Sequence, residues 1–488
     1  MGCEDDEAEA RTEAEGGDSQ MRLPIEGLSD EAQEAVSLLL GQLAEKRSIN
    51  KTRQNYFEAA QKTKHFGIAV PPHMVEFETT LSWGEGACTH LNDRINLEGF
   101  EIPDSDVLPL NLSRIIRQNK LLAESTMAHL EAQKYGPAFT MALAGYAGEP
   151  DVVVRSLSAR VTTGEWNPNS RRLTKILTVT GAKWGRVTEM IYADDEMVYT
   201  IAEGDRGGLT VVHSAGVPMC PGTLLPFRPD LDNPFGRSRL SHPVMRAIDR
   251  AQRTLLRSEI TAEFFSAPQR YLLGADEDIF TDEDGKPIPT WDALIGRISA
   301  IGRDEEGQVP SVYTAPQVSM QPHTDMSRHD AAIFSSLVNV PVSVLGVVQD
   351  NPDSAEAMEV RWDALNKVAE RAHVSFGAGW VETLQKAVMI RDGLDDPPEE
   401  LDELESKWRP ASMPTRAAMA DAATKEIGAI PWVAETEEAL RMFGHDRATR
   451  KRMLADRRRA QGGARIGALA AAGRGLLPVA AGSPGAAE

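Results

Sequence analysis

His323, Asp325, His329 and Asp330 come nearest, by type and spacing, to a metal site in this 488-residue chain. Imidazole and carboxylate both ligate divalent cations, and His329 follows Asp325 by four residues, so a helix sets both on one face. A metal-dependent hydrolase built on them needs further ligands, and no second His/Asp cluster stands out; solvated helix residues or contacts between subunits are the simpler reading. A second pattern is cationic. Arg246, Arg250, Arg253 and Arg257 recur at spacings of four, three and four, which aligns four guanidinium groups along a helix. Such a strip can face DNA phosphates. Pairing with Asp249 and Glu259 on the same helix, or with acids of neighbouring subunits, suits so acidic a chain better. A third pattern is anionic, with Asp276, Glu277, Asp278, Asp282, Glu283 and Asp284 crowded into one loop. Asp282, Asp284 and Gly285 loosely follow a calcium loop, but its twelfth position falls near Ala293, where a bidentate Glu is needed. No metal or cofactor is expected. The phosphate-binding loop, the His-Glu-x-x-His motif and the Gly-x-Ser-x-Gly elbow are all missing, which leaves no signature of an enzyme.

The totals point the same way. Against 52 basic residues stand 73 acidic ones, a formal charge of −21, which argues against tight binding by phosphate neutralisation over the whole surface. A hydrophobic fraction of 41% supports folded domains, and an aromatic fraction of 6% is low for a base-stacking surface. Cys3, Cys88 and Cys220 are far apart and form no Cys-x-x-Cys pair, so a reduced setting is expected. No apolar run has membrane-spanning length, no signal-peptide pattern opens the chain, and Asp6 stands where a myristoylation motif wants Ser or Thr. The chain reads as soluble and intracellular.

The elements that must carry these residues follow from periodicity. Residues 1–20 are acidic and aperiodic, an expected disordered tail, and Met21-Arg22-Leu23-Pro24 reads as the domain start. Ser29 can cap a helix reaching Ile49, with Val36, Leu39, Leu40 and Leu43 as its buried stripe. One helix is predicted from Pro109 to Tyr135. Short alternating runs punctuated by turn residues from Ala138 to Phe227 predict an antiparallel sheet, with Trp166 and Trp184 packed in the core or on a sheet face. Helices are predicted over 242–265 and 323–338, the second with Met326, Ile333, Leu337 and Val338 on its apolar side. Between them fall strands around 269–274 and 311–313 and a short helix at 291–298. After Ser354, Met358, Trp362, Leu365, Ala369, Ala372 and Phe376 mark a helix of about 38 residues, kinked where Gly377 and Gly379 interrupt the stripe before Val381, Leu384 and Val388 resume it. Three helices over 415–427, 435–443 and 446–459 follow, the last of them basic, and the Gly/Ala-rich residues 461–488 are expected to be disordered.

Two runs carry a family resemblance. One is Pro341-x-x-x-Leu345-Gly346, a polar loop with Asn351-Pro352, and Ser354-Ala355-Glu356-Ala357-Met358 opening the long helix; the other is Pro226-Phe227-Arg228 leading to Asn233-Pro234-Phe235-Gly236-Arg237-Ser238. From about Met21 to Ala460 the order of elements resembles the portal (head-to-tail connector) proteins of long-tailed bacteriophages. That resemblance implies an α+β fold of mainly helical stem, wing and crown, an antiparallel sheet in the wing and a small α/β clip. The layout would be wing 21–240, first stem helix 241–266, clip 267–320, second stem helix 321–339, tunnel-loop region 340–353, long wing helix 354–390 and crown 391–460. It further implies a closed homo-oligomeric ring, usually a dodecamer, at the capsid portal vertex of the virion, and no membrane partner. Double-stranded DNA would pass through it without sequence preference. The tunnel loop would be Val347, Val348, Gln349, Asp350, Asn351, Pro352 and Asp353, and the acidic clip loop would meet the terminase large subunit and then the connector proteins. Major capsid and scaffolding proteins would be further partners, with assembly in the host cytoplasm. A minor capsid component is the alternative structural reading.

Overall fold

A computed structural model describes residues 24–61, 80–103, 105, 107–204, 207–266, 270–273, 311–314, 319–347, 355–412, 416–445 and 447–474. The chain divides into a unit ending at Ala411 and a second beginning at Ser412. In the first, β1 (Ile25–Glu26) leads into α1 (Asp30–Phe57). The Ser29 side chain accepts from the Ala32 amide at 3.3 Å, the expected cap. The helix runs eight residues past the predicted end at Ile49, because polar residues on its inner side find partners. Asn50 donates to the Ala159 carbonyl at 3.2 Å and Arg53 to the Tyr135 carbonyl at 2.8 Å.

Next come α2 (Trp83–Asn92), β2 (Leu97–Glu101), α3 (Leu112–Gln118) and α4 (Leu121–Tyr135). The single helix predicted over 109–135 is therefore two. Asn119 and Lys120 break it: the Asn119 amide donates to the Val152 carbonyl at 3.0 Å and accepts from the Val154 amide at 2.8 Å, while Lys120 turns at φ +51°.

The region 137–226 forms two sheets. In one, β10 (Gly222–Pro226), β3 (Pro137–Ala144) and β4 (Val152–Ser158) run antiparallel. In the other, β5 (Thr162–Asn167), β6 (Arg172–Lys183), β7 (Arg186–Ala193), β8 (Met197–Glu203) and β9 (Leu209–Gly216) form an antiparallel meander, and β1 adds to β9 in parallel. Adjacent residues of β6 point to opposite faces. Leu177 packs toward α1 together with Met190, Tyr192 and Ile201, while Ile176, and Leu173 beyond the register shift opposite Glu165 and Trp166, face Phe139, Met141 and Leu224 of the smaller sheet. Trp166 packs half-buried on that second core, as expected, but Trp184 at the β6–β7 turn packs on nothing and is 102% exposed.

The chain then forms α5 (His242–Ser266), the paired strands β11 (Arg270–Leu273) and β12 (Ser311–Thr314), α6 (Gln321–Val338), a 3-10 turn at Val342–Leu345 and α7 (Ala355–Asp392). Beyond α7, β13 (Glu405–Trp408), which periodicity did not indicate, pairs antiparallel with β2. The largest core gathers α2, β2, α4 and the inner sides of α5, α6 and α7.

In the second unit α8 (Arg416–Ala429), a 3-10 turn at Pro431–Glu435, α9 (Glu437–Met442) and α10 (Arg447–Arg474) follow one another. Arg450 donates to the His445 carbonyl at 2.8 Å and pairs with Glu437 at 3.2 Å, and Arg457 donates to the Glu435 carbonyl at 2.7 Å. The disorder expected from 461 onward is wrong as far as Arg474: alanine-rich sequence carries the helix through Gly462 and Gly463. No helix among the described residues is long and apolar enough to cross a membrane.

Candidate functional site: the paired helices and the long helix

α5 and α6 pack side by side, and their contact gives several residues of the first two patterns partners within the chain. Arg250 forms an ion pair with Asp330 at 2.7 Å, and Thr254 donates to the other oxygen of the same carboxylate at 2.7 Å. The Asp330 side chain is 1% exposed, so the pair lies at the helix–helix seam. Arg246 reaches Asp249 at 3.5 Å, and the Tyr56 hydroxyl donates to Asp249 at 2.6 Å, tying the end of α1 to the start of α5. Burial, reinforced by the Asp249 carboxylate, holds the Tyr56 phenol well above its ordinary range. Arg253 is half-buried and Arg257 exposed. The pairing with Asp249 was expected. The partner of Arg250 was not, since it sits eighty residues away on α6.

The same contacts do not favour the metal reading. His323 Nε2 lies 3.0 Å from the Thr261 hydroxyl, Asp325 accepts from Gln321 at 2.8 Å, His329 is exposed, and Asp330 is buried against Arg250. Adjacent helix positions diverge by about 100°, so His329 and Asp330 cannot converge on one ion. Among the described residues no three His, Cys, Asp or Glu side chains are grouped to hold a metal. The predicted apolar side of α6 also shifts. Ala331, Phe334 and Val338 are buried, while Met326 and Leu337 are 39% and 42% exposed.

α6 ends at Asn339, whose φ of +54° makes the left-handed cap, and the Ser335 hydroxyl donates to the Val340 carbonyl at 2.7 Å. Of the expected tunnel loop only Val347 is described, half-buried against the main core; residues 348–353 lie outside the described residues. So does the acidic loop Asp276, Glu277, Asp278, Asp282, Glu283 and Asp284, along with the predicted helix at 291–298. What is described there is the ribbon closing that segment, with Arg270 opposite Thr314 and Leu273 opposite Ser311.

α7 spans 38 residues without interruption, and its glycines allow close packing. A Cβ at Gly377 would run into Ser406 and Trp408 of β13. One at Gly379 would meet Leu225 Cδ2 at 2.6 Å and the Leu224 carbonyl oxygen at 2.8 Å on β10. Two positions apart on a helix lie on nearly opposite faces, so the pair admits α7 between two sheets. Past them the helix carries buried polar groups. Trp380 donates to His129, Thr383 lies 2.6 Å from Thr140 Oγ1, and Lys386, 1% exposed, donates to the Gly222 carbonyl and pairs with Glu382 at 2.7 Å.

Arg239 is another residue that sequence reasoning passed over. Its guanidinium is buried with no carboxylate beside it among the described contacts, and donates to the Ala87 carbonyl of α2 and the Val338 carbonyl in the last turn of α6. Burial pushes its pKa down to about 10, still charged at neutral pH. Its own amide donates to the Gln133 carbonyl at 2.8 Å, and Ser238 donates to the Lys134 carbonyl at 2.6 Å. The Pro-Phe-Gly-Arg-Ser-Arg run thus knits α4, α2 and α6 together; its only signal in the sequence was the run itself.

Comparison with known proteins supplies the frame for this geometry. The family model described as phage portal protein, SPP1 Gp6-like, matches residues 70–461. The portal protein of Mycobacterium phage L5 is 28% identical over 416 residues, covering 82% of this chain and 83% of that one. The portal protein of Mycobacterium phage D29 is 27% identical over 448 residues, covering 89% and 90%. Among solved structures, a chain in the neck of an empty gene transfer agent particle computed with C6 symmetry aligns at a TM-score of 0.48 and 12% identity, covering 80% of this chain and 93% of that one. A chain in the neck of the native particle computed with C12 symmetry aligns at 0.43 and 12%, covering 74% and 89%.

Proposed function

Since the chain belongs to the phage portal protein family of the SPP1 Gp6-like type, we propose that it assembles into a closed ring, of twelve copies, at one capsid vertex of the virion. Double-stranded DNA enters through that ring during packaging and leaves through it at ejection. The observation that carries this reading is the family match across 392 residues, from 70 to 461. The sealed α5–α6 pair, with α7 leading from residue 355 into the main core, gives such a ring a stiff building block.

The role is structural. The sequence has no phosphate loop of the Gly-x-x-x-x-Gly-Lys type, so the energy for moving DNA comes from a separate packaging ATPase. The terminase large subunit seats on the segment 267–320, and the connector proteins replace it there; capsid and scaffolding proteins meet the ring elsewhere. Twelve copies at −21 each carry about −250 charges, and a mainly negative lumen repels phosphates and keeps DNA from adhering as it slides.

Electron microscopy of the purified protein tests this. Class averages should show a ring with a central hole, and the particle mass should be about twelve times 53.2 kDa. A stable, monodisperse single chain at micromolar concentration would end the proposal.

A further inference from the structure

The turn joining β6 to β7 has the wrong residue for its conformation. Lys183 pairs with Arg186, leaving Trp184 and Gly185 as a two-residue loop with φ of +51° and +80°. Positive φ at both positions is a demand that Gly, Asn and Asp meet, whereas a bulky residue there is an outlier. Trp184 is also fully exposed, so neither the turn nor packing within the chain accounts for it. Register shifts on both sides of Gly181 bend the hairpin just below its tip. Lys183 and Arg186 flank the indole, both exposed, with no carboxylate partner among the described residues. A rigid aromatic between two cations is the composition of an interface anchor.

A face of matching character lies on α1. The inner side of that helix is buried on the sheet that bears the hairpin, so its outer side points away from its own hairpin. Along the outer side run Glu34, Leu38, Gly41, Glu45 and Ile49 at helical spacings of four, three, four and four. Leu38 is 50% and Ile49 36% exposed. Gly41 is an interior helix glycine with nothing within 4 Å of a Cβ built on it, so close packing inside the chain does not explain it. It leaves a flat, apolar place flanked by carboxylates.

We propose that the β6–β7 tip of one copy docks on the outer face of α1 in the next copy, with Trp184 seated over Gly41 beside Leu38 and Lys183 and Arg186 meeting Glu34 and Glu45. The contact joins two different patches of the same chain, the head-to-tail type that closes rings. Charge favours it: two cations meet a face with two carboxylates on a chain of net charge −21. Phosphates are poorer partners for a tip with one aromatic and two cations on so acidic a body. The inference rests on the ring reading above and adds one of its seams.

The test uses the full-length chain. Lys183→Glu with Arg186→Glu should raise the protein concentration at half-assembly about tenfold or more in mass photometry, and Glu34→Lys with Glu45→Lys should do the same. All four changes together should restore assembly to within about threefold of wild type. p-Benzoylphenylalanine at position 184 should, on irradiation, join two copies through peptides from 30–57. A four-change variant no better than either double variant, or crosslinks from assembled particles that map elsewhere on the chain or to added DNA, overturns the contact. Wild-type protein that never closes into rings overturns the portal reading instead, and the same measurements tell the two failures apart.

Discussion

The indole N–H of Trp380 donates to Nε2 of His129 across 2.9 Å, with both rings fully buried. Phe376 stacks on the same imidazole at 4.5 Å. An Nε2 that accepts carries no proton, so this histidine is neutral, and its desolvated site pushes its pKa down to about 3 from an ordinary 6.5. The imidazole is thus a packing piece between α4 and α7 rather than a reactive group.

A pH dependence follows, with a definite sign. The folded-state pKa lies below the unfolded one, so the contribution of His129 is intact above about pH 6.5 and is lost as pH falls from there toward about 3, because only the unfolded chain takes up the proton. At about pH 5 the loss amounts to roughly 2 kcal/mol. His129→Gln keeps an acceptor near Trp380 and cannot titrate. The apparent melting temperature of wild type should therefore fall more than that of the variant between about pH 7.5 and about pH 5. Parallel slopes would show that His129 is accessible to protons in the folded chain.

Arg250 and Arg257 look alike in sequence and should behave differently. Arg250→Ala leaves the Asp330 carboxylate buried with Thr254 as its remaining partner, and should cost roughly 1–2 kcal/mol, below the figure for a fully buried pair because Arg250 is itself 46% exposed. Arg257→Ala on the exposed side should stay within about 0.5 kcal/mol. Denaturant unfolding followed by far-ultraviolet dichroism measures both. Equal effects would remove the α5–α6 seam from the account.

Gly379→Ala improves helix propensity by about 1 kcal/mol and should still destabilise by roughly 1–3 kcal/mol. The new methyl meets the Leu224 carbonyl, which β10 holds in its ladder. Gly377→Ala should be milder, since its main obstacle, Ser406 Oγ, can rotate away. A differential-scanning comparison that ranks the two the other way round would mean that α7 slides more freely between its sheets than the packing implies.

These contrasts also mark how far the sequence could be read. The length and start of α7, the Ser29 cap and the strands β11 and β12 were legible because each depends on neighbours within a few residues. Asp330, Arg239, His129 and Lys386 were not, because burying a polar group requires a partner that chain position does not reveal: Asp330 finds Arg250, and Lys386 finds the Gly222 carbonyl 164 residues away. The break at Asn119 was hidden for the same reason, as its side-chain amide serves β4 as well as the end of its own helix. Trp184 was misread because a tryptophan among strands ordinarily packs.

Gln349 and Asp350 offer a test of the proposed channel. Lysine at both positions should leave ring assembly unchanged and slow DNA packaging, more so at low salt, where phosphate attraction is least screened. Packaging kinetics across an ionic-strength series measures this. Rates equal to wild type at low salt would mean that 347–353 does not meet DNA.

The buried polar groups of α7 at 380, 383 and 386 also set how the helix carries load. Each bonds to a different neighbour, α4, β3 and β10, and all three lie in its second half. A pull at the Ala355 end strains these anchors in shear, in parallel, so no single bond can yield and let the rest unzip. The first half is held as well, where Asn366 accepts from Arg94 at 3.0 Å and the Arg94 guanidinium lies 4.3 Å from the Trp362 ring centre. Mechanically α7 is a beam pinned at several points, with its three separate sheet and helix anchors gathered beyond Gly379.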